Sequence, residues 1–434
     1  MSDTVRAVGL DFGTTNSAIA VIGADGAPRL AHFTRGATVD SNLELMRSIV
    51  FFDEEGAAQG AKTRIAVGNE AIARYLEAGG EGRLVQSLKS FLADRNFTKT
   101  DIMGETYSLE DLIAPILIAL RESAGKQFGE LGGRVVVGRP VRFSAASSKS
   151  DEDLAMRRLD IAVRRAGFDD VVFEFEPVAA ACDYASRINR DELVLIADFG
   201  GGTSDFSLLR LSPRRGGAGR QFDYEILGND GVALAGDVFD GRIVRHAVAP
   251  ALGRGSRYRT PYGKVLPVPT WTYAKLERWH QLSLLKAPAT MHRLRELVLE
   301  AVDPEKMRAL VHVIGNDLGY AMFQSVERAK LVLSDAPGAM FAFADGLVAI
   351  EMPIAREEFE VWIARELREI ELCVDRLLGA TGVASASVTT VFLTGGSSFV
   401  PAVRRIFNHR FGSDRIRMGN EFTSVVRGLA LRAL

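Results

Sequence analysis

Gly9-Leu10-Asp11-Phe12-Gly13-Thr14-Thr15-Asn16 and Ala197-Asp198-Phe199-Gly200-Gly201-Gly202-Thr203-Ser204-Asp205 are two renderings of one design. Each has an apolar strand, then Asp-Phe-Gly, then small hydroxylated residues, then a second strand. Glycine lets backbone N–H groups come close to an anion because no Cβ stands in the way. The hydroxyls of Thr14, Thr15, Thr203 and Ser204 add donors, and each aspartate adds a charge suited to a hydrated cation. A single copy reads equally well as a plain turn. Two copies about half a chain apart predict a duplicated phosphate clamp, with a nucleoside triphosphate and Mg2+ held between related halves.

Outward from the first copy, Gly23-Ala24-Asp25-Gly26 signals a hairpin between the strand Asn16 to Ile22 and a strand from Pro28. The start is therefore strand-turn-strand. A P-loop or a dinucleotide fold needs its glycine loop to open a helix, and neither GxxxxGK[ST] nor GxGxxG occurs. Helical periodicity covers Leu109 to Phe128 and Ser150 to Ala166, with Gly167 as a terminating glycine. Between and after them come apolar strands at Arg134 to Gly138 and Val171 to Phe175, then a small-residue helix at Ala179 to Ala185. The unbroken apolar run Leu193 to Ala197 predicts a strand buried on both faces ahead of the second clamp. Farther on, Tyr258 to Trp271 reads as a loop-like elaboration rich in proline. Helical patterns follow at Pro304 to Leu333 and Glu357 to Leu378, then a strand at Val391 to Leu393 and a closing helix from Val425 to Leu434.

At 434 residues the chain is too long for one ordinary core, and two or three domains are expected. A net charge of −2 removes bulk attraction to nucleic acid or an anionic membrane. The Arg-rich stretch Arg210 to Arg220 reads as a solvated hairpin tip. The first residues leave no room for a secretory leader, and Leu112 to Leu120, interrupted by Pro115, is too short to span a bilayer. A cytoplasmic protein is expected. Cys182 and Cys373 stand far apart without neighbouring His or Cys at ligand spacing, so they read as buried apolar residues.

Taken together, these motifs resemble the nucleotide-binding domain of Hsp70 chaperones, within the actin, hexokinase and Hsp70 superfamily. The order matches: the first clamp is similar to phosphate-1, Val137-Gly138-Arg139-Pro140 to the first connecting segment, the second clamp to phosphate-2, and Val391 to Val400 to the adenosine motif. Ser87-Leu88-Lys89-Ser90-Phe91-Leu92 and Glu176-Pro177-Val178-Ala179-Ala180 resemble the short bacterial YegD-type relatives. The resemblance implies a duplicated α/β actin-like (ribonuclease H-like) ATPase fold, with two lobes around a central nucleotide cleft and an elaborating subdomain on each. Lobe I would be 1–191 completed by 415–434, and lobe II 192–414 with an inserted subdomain at about 232–345.

Carried over by position, the resemblance makes Asp11, Asp198 and Asp205 the carboxylates around Mg2+. Gly13, Thr14, Thr15, Gly200, Gly201, Gly202 and Thr203 would clamp the phosphates of ATP or ADP. Lys89, Glu176, Asp198 and Thr203 form the catalytic set, in which the Lys89 charge orients water and offsets the transferring phosphoryl group. Gly236, Asp237, Glu327, Lys330, Ser334, Gly395, Gly396 and Ser397 would receive the nucleoside. Leu331 departs from the family's adenine-stacking arginine, and Glu421 is only near the position of a usual aspartate. K+ is left open as a further ion. The chain stops just after the closing helix, without the family's linker, peptide-binding β-sandwich or lid, so a protein partner in trans is expected. The resulting function is an Mg2+-dependent, chaperone-type ATPase. A non-hydrolysing nucleotide sensor is the alternative, with a sugar-kinase-like phosphotransferase and a filament former behind it.

Overall fold

The computed structural model describes residues 5–33, 44–55, 62–78, 81–213, 222–278, 282, 285–419 and 423–434. Residues 214–220 of the Arg-rich stretch, and Glu421, lie outside that set. The strand Ala7–Phe12 pairs antiparallel with Asn16–Ile22, which pairs antiparallel with Pro28–Leu30. On its other side it runs parallel to Arg134–Arg139, and that strand runs parallel to Asp170–Phe175. Glu192–Phe199 repeats the scheme, antiparallel to Ser204–Pro213 and through it to Phe222–Val232, and parallel to Thr390–Thr394 and then Ile416–Met418. Strand for strand, the two five-strand paths share one order and one set of directions. The duplication read from the two clamps is thus a duplication of the whole sheet.

Alternation along each central strand decides what faces what. Val8, Leu10 and Phe12 enter a core with the helices Leu109–Phe128 and Lys149–Arg165. Ala7, in contrast, joins a second core with Val194 and Ile196 of the other sheet and with the helices Glu176–Ala185 and Ser424–Arg432. Small residues dominate this layer because backbones meet there. A Cβ on Gly9 would lie 2.3 Å from the Ala430 nitrogen, and one on Gly428 would lie 1.6 Å from the Ala179 carbonyl oxygen. The same period carries Asp11 onto the face of Ala7 and Gly9, and Asp198 onto the face of Val194 and Ile196.

Two compact units divide the chain: Met1–Ala235 with Glu369–Phe399 and Val403–Leu434, and Gly236–Arg368 with Val400–Ala402. Both sheets belong to the first. The second holds the helices Gly236–Ile243, Pro288–Glu300, Pro304–Gly315 and Gly319–Asp335 and the hairpin Gly338–Asp345 with Val348–Ala355. Several boundaries differ from the sequence expectation. The pattern over Pro304 to Leu333 is two helices, broken where Asp317 takes φ +55. Leu109–Phe128 continues through Pro115, while Glu176 begins a helix, with Pro177 in its first turn where no N–H is needed. The stretch Tyr258 to Trp271 contains a small hairpin of Arg257–Arg259 and Val265–Pro267. Among the described residues no helix is long and apolar enough to cross a membrane.

Candidate nucleotide and cation site

Gly13 ends the first strand in a turn so tight that a Cβ would stand 2.1 Å from the Asn16 carbonyl oxygen. Any side chain there would force the loop open. In the second loop the Gly200 N–H donates to the Thr203 carbonyl at 2.9 Å. Gly202 comes against the first loop, since a Cβ on it would meet Thr14 Oγ1 at 3.3 Å, Ser144 Oγ at 3.0 Å and Ser90 Oγ at 3.7 Å. The two clamps therefore face each other across a narrow space lined by hydroxyls. A Cβ on Gly395, at φ +81, would lie 2.1 Å from the Phe199 carbonyl oxygen, so the third glycine turn abuts the second clamp.

Lys89 sits on the short 3-10 turn Leu88–Phe91, entered through Ser87 in the left-handed region at φ 54. That backbone is costly for a serine and marks a site held by its surroundings. The Lys89 ammonium donates to Glu176 Oε1 at 2.6 Å, and both side chains are buried. Glu176 reaches this point because it opens its helix beside Gly138, where a Cβ would meet Glu176 Cγ at 3.2 Å and Asp11 Oδ1 at 3.6 Å. In the second sheet Asp205 lies in register opposite Asp198. Its Oδ1 accepts from the Val141 N–H at 2.7 Å and from the Arg142 N–H at 3.4 Å.

Four carboxylates thus surround one ammonium in a buried setting. Burial first, and then the Glu176 charge, raise the Asp11 carboxyl to about 7, with Lys89 opposing. Asp205 is also raised to about 7, by burial and then by Glu176, against the Thr203 hydroxyl and the Val141 N–H. Asp198 is raised well above the ordinary range by burial and by Glu176, Asp205 and Asp11. For Lys89, burial works against the charge, but Glu176, Asp11 and Asp205 outweigh it and the ammonium is raised. Such a site carries more negative charge than its own cation can balance. Among the described residues no three His, Cys, Asp or Glu side chains close on one point as direct metal ligands. Carboxylate oxygens are the hard donors that Mg2+ and Ca2+ prefer, either directly or through water.

Gly236, Asp237, Glu327, Lys330 and Ser334 lie in the second unit. Lys330 Nζ donates to Asp240 Oδ2 at 2.7 Å and lies 3.5 Å from the Gly236 carbonyl oxygen, while Ser334 Oγ donates to the Lys330 carbonyl at 3.1 Å. Burial opposes the Lys330 charge, but Asp240, Glu327 and Asp237 raise its pKa. On the same helix Leu331 is 57% exposed. Gly396 and Ser397 form the turn after Gly395, where Ser398 Oγ donates to the Gly395 carbonyl at 2.6 Å. Sequence reasoning gave no role to Ser90, Ser144 or the Val141 N–H, and placed Asp240 only as the last residue of the segment Gly236-Asp237-Val238-Phe239-Asp240, which resembles one beside the phosphates. Ser90 follows Lys89 directly, but nothing in the local pattern around Ser144 signals its approach to Gly202.

The profile of the Hsp70 protein family matches residues 83–253 and 319–434, well over half of the chain. The chain belongs to the Hsp70 family. Its fold is accordingly the α/β actin and Hsp70 type. The family profile covers Lys89, Glu176, Asp198, Asp205 and the Gly395 turn, whereas 254–318 falls between its two stretches. Among relatives of this Hsp70-family chain, the chaperone protein DnaK of Deinococcus proteolyticus is 25% identical over 442 residues, covering 99% of the chain and 59% of that protein. DnaK of Thermus thermophilus is 25% identical over 437 residues, with 99% and 60% covered. The stromal 70 kDa heat shock-related protein of Pisum sativum chloroplasts is 25% identical over 452 residues, with 99% and 53% covered. The chain spans between about half and six tenths of the length of these curated relatives.

Proposed function

We propose that this chain binds ATP and ADP with Mg2+ and hydrolyses ATP to ADP and phosphate as a nucleotide-dependent switch. The observation that carries this reading is the pairing of the two hydroxyl-lined glycine loops with the buried Glu176, Asp198 and Asp205 and the half-buried Asp11 around Lys89. Asp11, Asp198 and Asp205 would hold the water shell of Mg2+, whose charge offsets that of the β- and γ-phosphates. Thr14, Thr15 and the backbone of Gly200 to Thr203 would grip the phosphate oxygens, with the Gly200 N–H itself turned to the Thr203 carbonyl. Lys89, fixed by Glu176, presents a point charge to the transferring phosphoryl group, and Glu176 and Asp205 orient the attacking water. The bond from the γ-phosphorus to the bridging oxygen breaks as the bond to water oxygen forms, so catalysis is mainly positioning and charge stabilisation.

The nucleoside is assigned to Gly236, Asp237, Glu327, Lys330 and Ser334 and to Gly395, Gly396 and Ser397. We read 1–191 with 415–434 as one lobe and 192–414 as the other, in a cytoplasmic protein near the YegD-type relatives. A chaperone-type role on a protein partner is supported by the names of the DnaK relatives. Calorimetric titration with Mg-ATP and Mg-ADP, with and without EDTA, tests binding. Single-turnover hydrolysis by the native chain, Lys89→Ala and Asp198→Asn then separates enzyme from sensor. Equal residual rates in all three assign the chain to the non-hydrolysing sensor class, and no binding at millimolar nucleotide defeats the proposal altogether.

A further inference from the structure

The small hairpin of Arg257–Arg259 and Val265–Pro267 lies in the stretch that the family profile leaves unmatched. Register places Arg257 opposite Pro267 and Arg259 opposite Val265, so the two arginines share one face with two apolar residues, all exposed. The tip is a rigid turn: Pro261 presets its bend, the Gly263 N–H donates to the Thr260 carbonyl at 2.9 Å, and Gly263 takes φ +77. That turn holds Tyr262 out in solvent at 92% exposure beside exposed Lys264.

The charge on this face is not balanced by its own surroundings. Residues 254–278 contain six arginines and lysines and one acid, Glu277, in a chain whose net charge is −2. Glu277 is engaged by Arg254 at 2.8 Å and Arg245 at 3.6 Å. On the adjoining helix and its exit, Glu296 and Glu300 pair with Arg293, and Asp303 pairs with Lys306. Among the described residues no acid pairs with Arg257, Arg259 or Lys264. These exposed side chains leave a solvated positive face open to a partner's acids.

We propose that this hairpin is a docking surface for an acidic segment of a partner protein that also carries apolar side chains. Tyrosine and arginine are the residue types that most often anchor protein interfaces, and a turn that already fixes Tyr262 reduces the ordering cost of binding. Val265 and Pro267, opposite the arginines on the same face, suit apolar side chains of a peptide. A nucleic-acid track would need a longer run of cations than three side chains on a net acidic chain. This surface stands apart from the nucleotide reading and is tested apart from it. The probe is a fluorescein-labelled peptide alternating Glu or Asp with Leu or Phe, titrated into the full chain by anisotropy. Parallel arms use the same peptide with lysine for each acid, a single-stranded RNA, and phosphatidylserine vesicles. The expected result is salt-sensitive binding of the acidic peptide alone. It should weaken about tenfold or more in the Arg257→Glu, Arg259→Glu double variant and in Tyr262→Ala, with the thermal transition and nucleotide affinity unchanged. Failure of the acidic peptide to bind, equal binding by the variants, or tighter binding of the RNA or the vesicles overturns the proposal.

Discussion

Replacing Lys89 by methionine keeps most of the side chain's length and apolar stem and removes the ammonium that contacts Glu176, 2.6 Å away. Asp11, Asp198 and Asp205 supply three further carboxyl groups that feel the same lysine. Breaking one partner of a buried pair costs about 3–5 kcal/mol because the other charge is stranded. There is an escape that limits the loss: a stranded carboxylate takes up a proton. From the ordinary solution pKa of about 4.3, that costs about 3.7 kcal/mol at pH 7 and about 1 kcal/mol at pH 5. Lys89→Met should therefore destabilise the sheet-bearing unit by about 3–4 kcal/mol at pH 7 and by only about 1 kcal/mol at pH 5. Urea denaturation followed by hydrogen exchange of peptides from Glu192–Phe199 reads that unit directly. Trp271 and Trp362, the tryptophans among the described residues, fall within Gly236–Arg368, so their fluorescence reports the other unit and should shift much less. A loss that is the same at both pH values, or one below about 1 kcal/mol at pH 7, would refute the stranded-charge argument. Adding Glu176→Gln to Lys89→Met should recover part of the stability, because the stranded charge is then gone.

The raised carboxyls of Asp11 and Asp205, about 7 in the fold against an ordinary value near 3.8, predict a pH dependence of the nucleotide-free protein. Their folded forms retain protons that the unfolded chain releases, so their stabilisation is complete below about pH 4 and is lost as pH rises through 7. Thermal denaturation in EDTA should show the melting temperature falling from pH 5 to pH 8, with Mg-ADP flattening the decline. Gly428→Ala should cost about 3 kcal/mol or more, since its methyl would lie 1.6 Å from the Ala179 carbonyl oxygen; a melting temperature near that of the native chain would contradict the close helix crossing. Leu331→Arg, at a half-exposed position on the helix carrying Lys330, should tighten Mg-ADP binding by about 2- to 30-fold if the adenine ring lies where the family resemblance puts it, as calorimetry can measure.

The aspartates of the two clamps were legible because strand alternation is a local property. Once Ala7 and Gly9, or Val194 and Ile196, face the inner layer, Asp11 and Asp198 must follow them. The repeated glycine turns were legible for a similar reason, since Gly13 and Gly395 occupy spaces no other residue fits. What stayed hidden depends on elements that meet only after folding. Ser144 approaches Gly202 from another part of the first sheet's surroundings, and the Val141 N–H finds Asp205 across 64 residues of sequence. Asp317 shows the opposite failure, where periodicity ran on through Pro304 to Leu333 while one left-handed residue split the helix. At 257–267 the prolines and glycine that suggested a loop instead build the turn of a hairpin, because Pro261 and Gly263 serve either outcome.

The seating of Ser424–Arg432 against Gly9 and Ala179 has a consequence for how the chain matures on the ribosome. Ala7–Phe12 emerges some 400 residues before the helix that covers its inner face, and Thr390–Thr394 must also arrive before the second sheet is complete. At about 5–20 residues per second the opening strand waits roughly 20–80 s with that face uncovered. Gly236–Arg368, by contrast, is nearly continuous in sequence and can collapse as soon as it leaves the exit tunnel. Vectorial synthesis would then deliver Gly236–Arg368 folded while Ala7–Phe12 still awaits Ser424–Arg432.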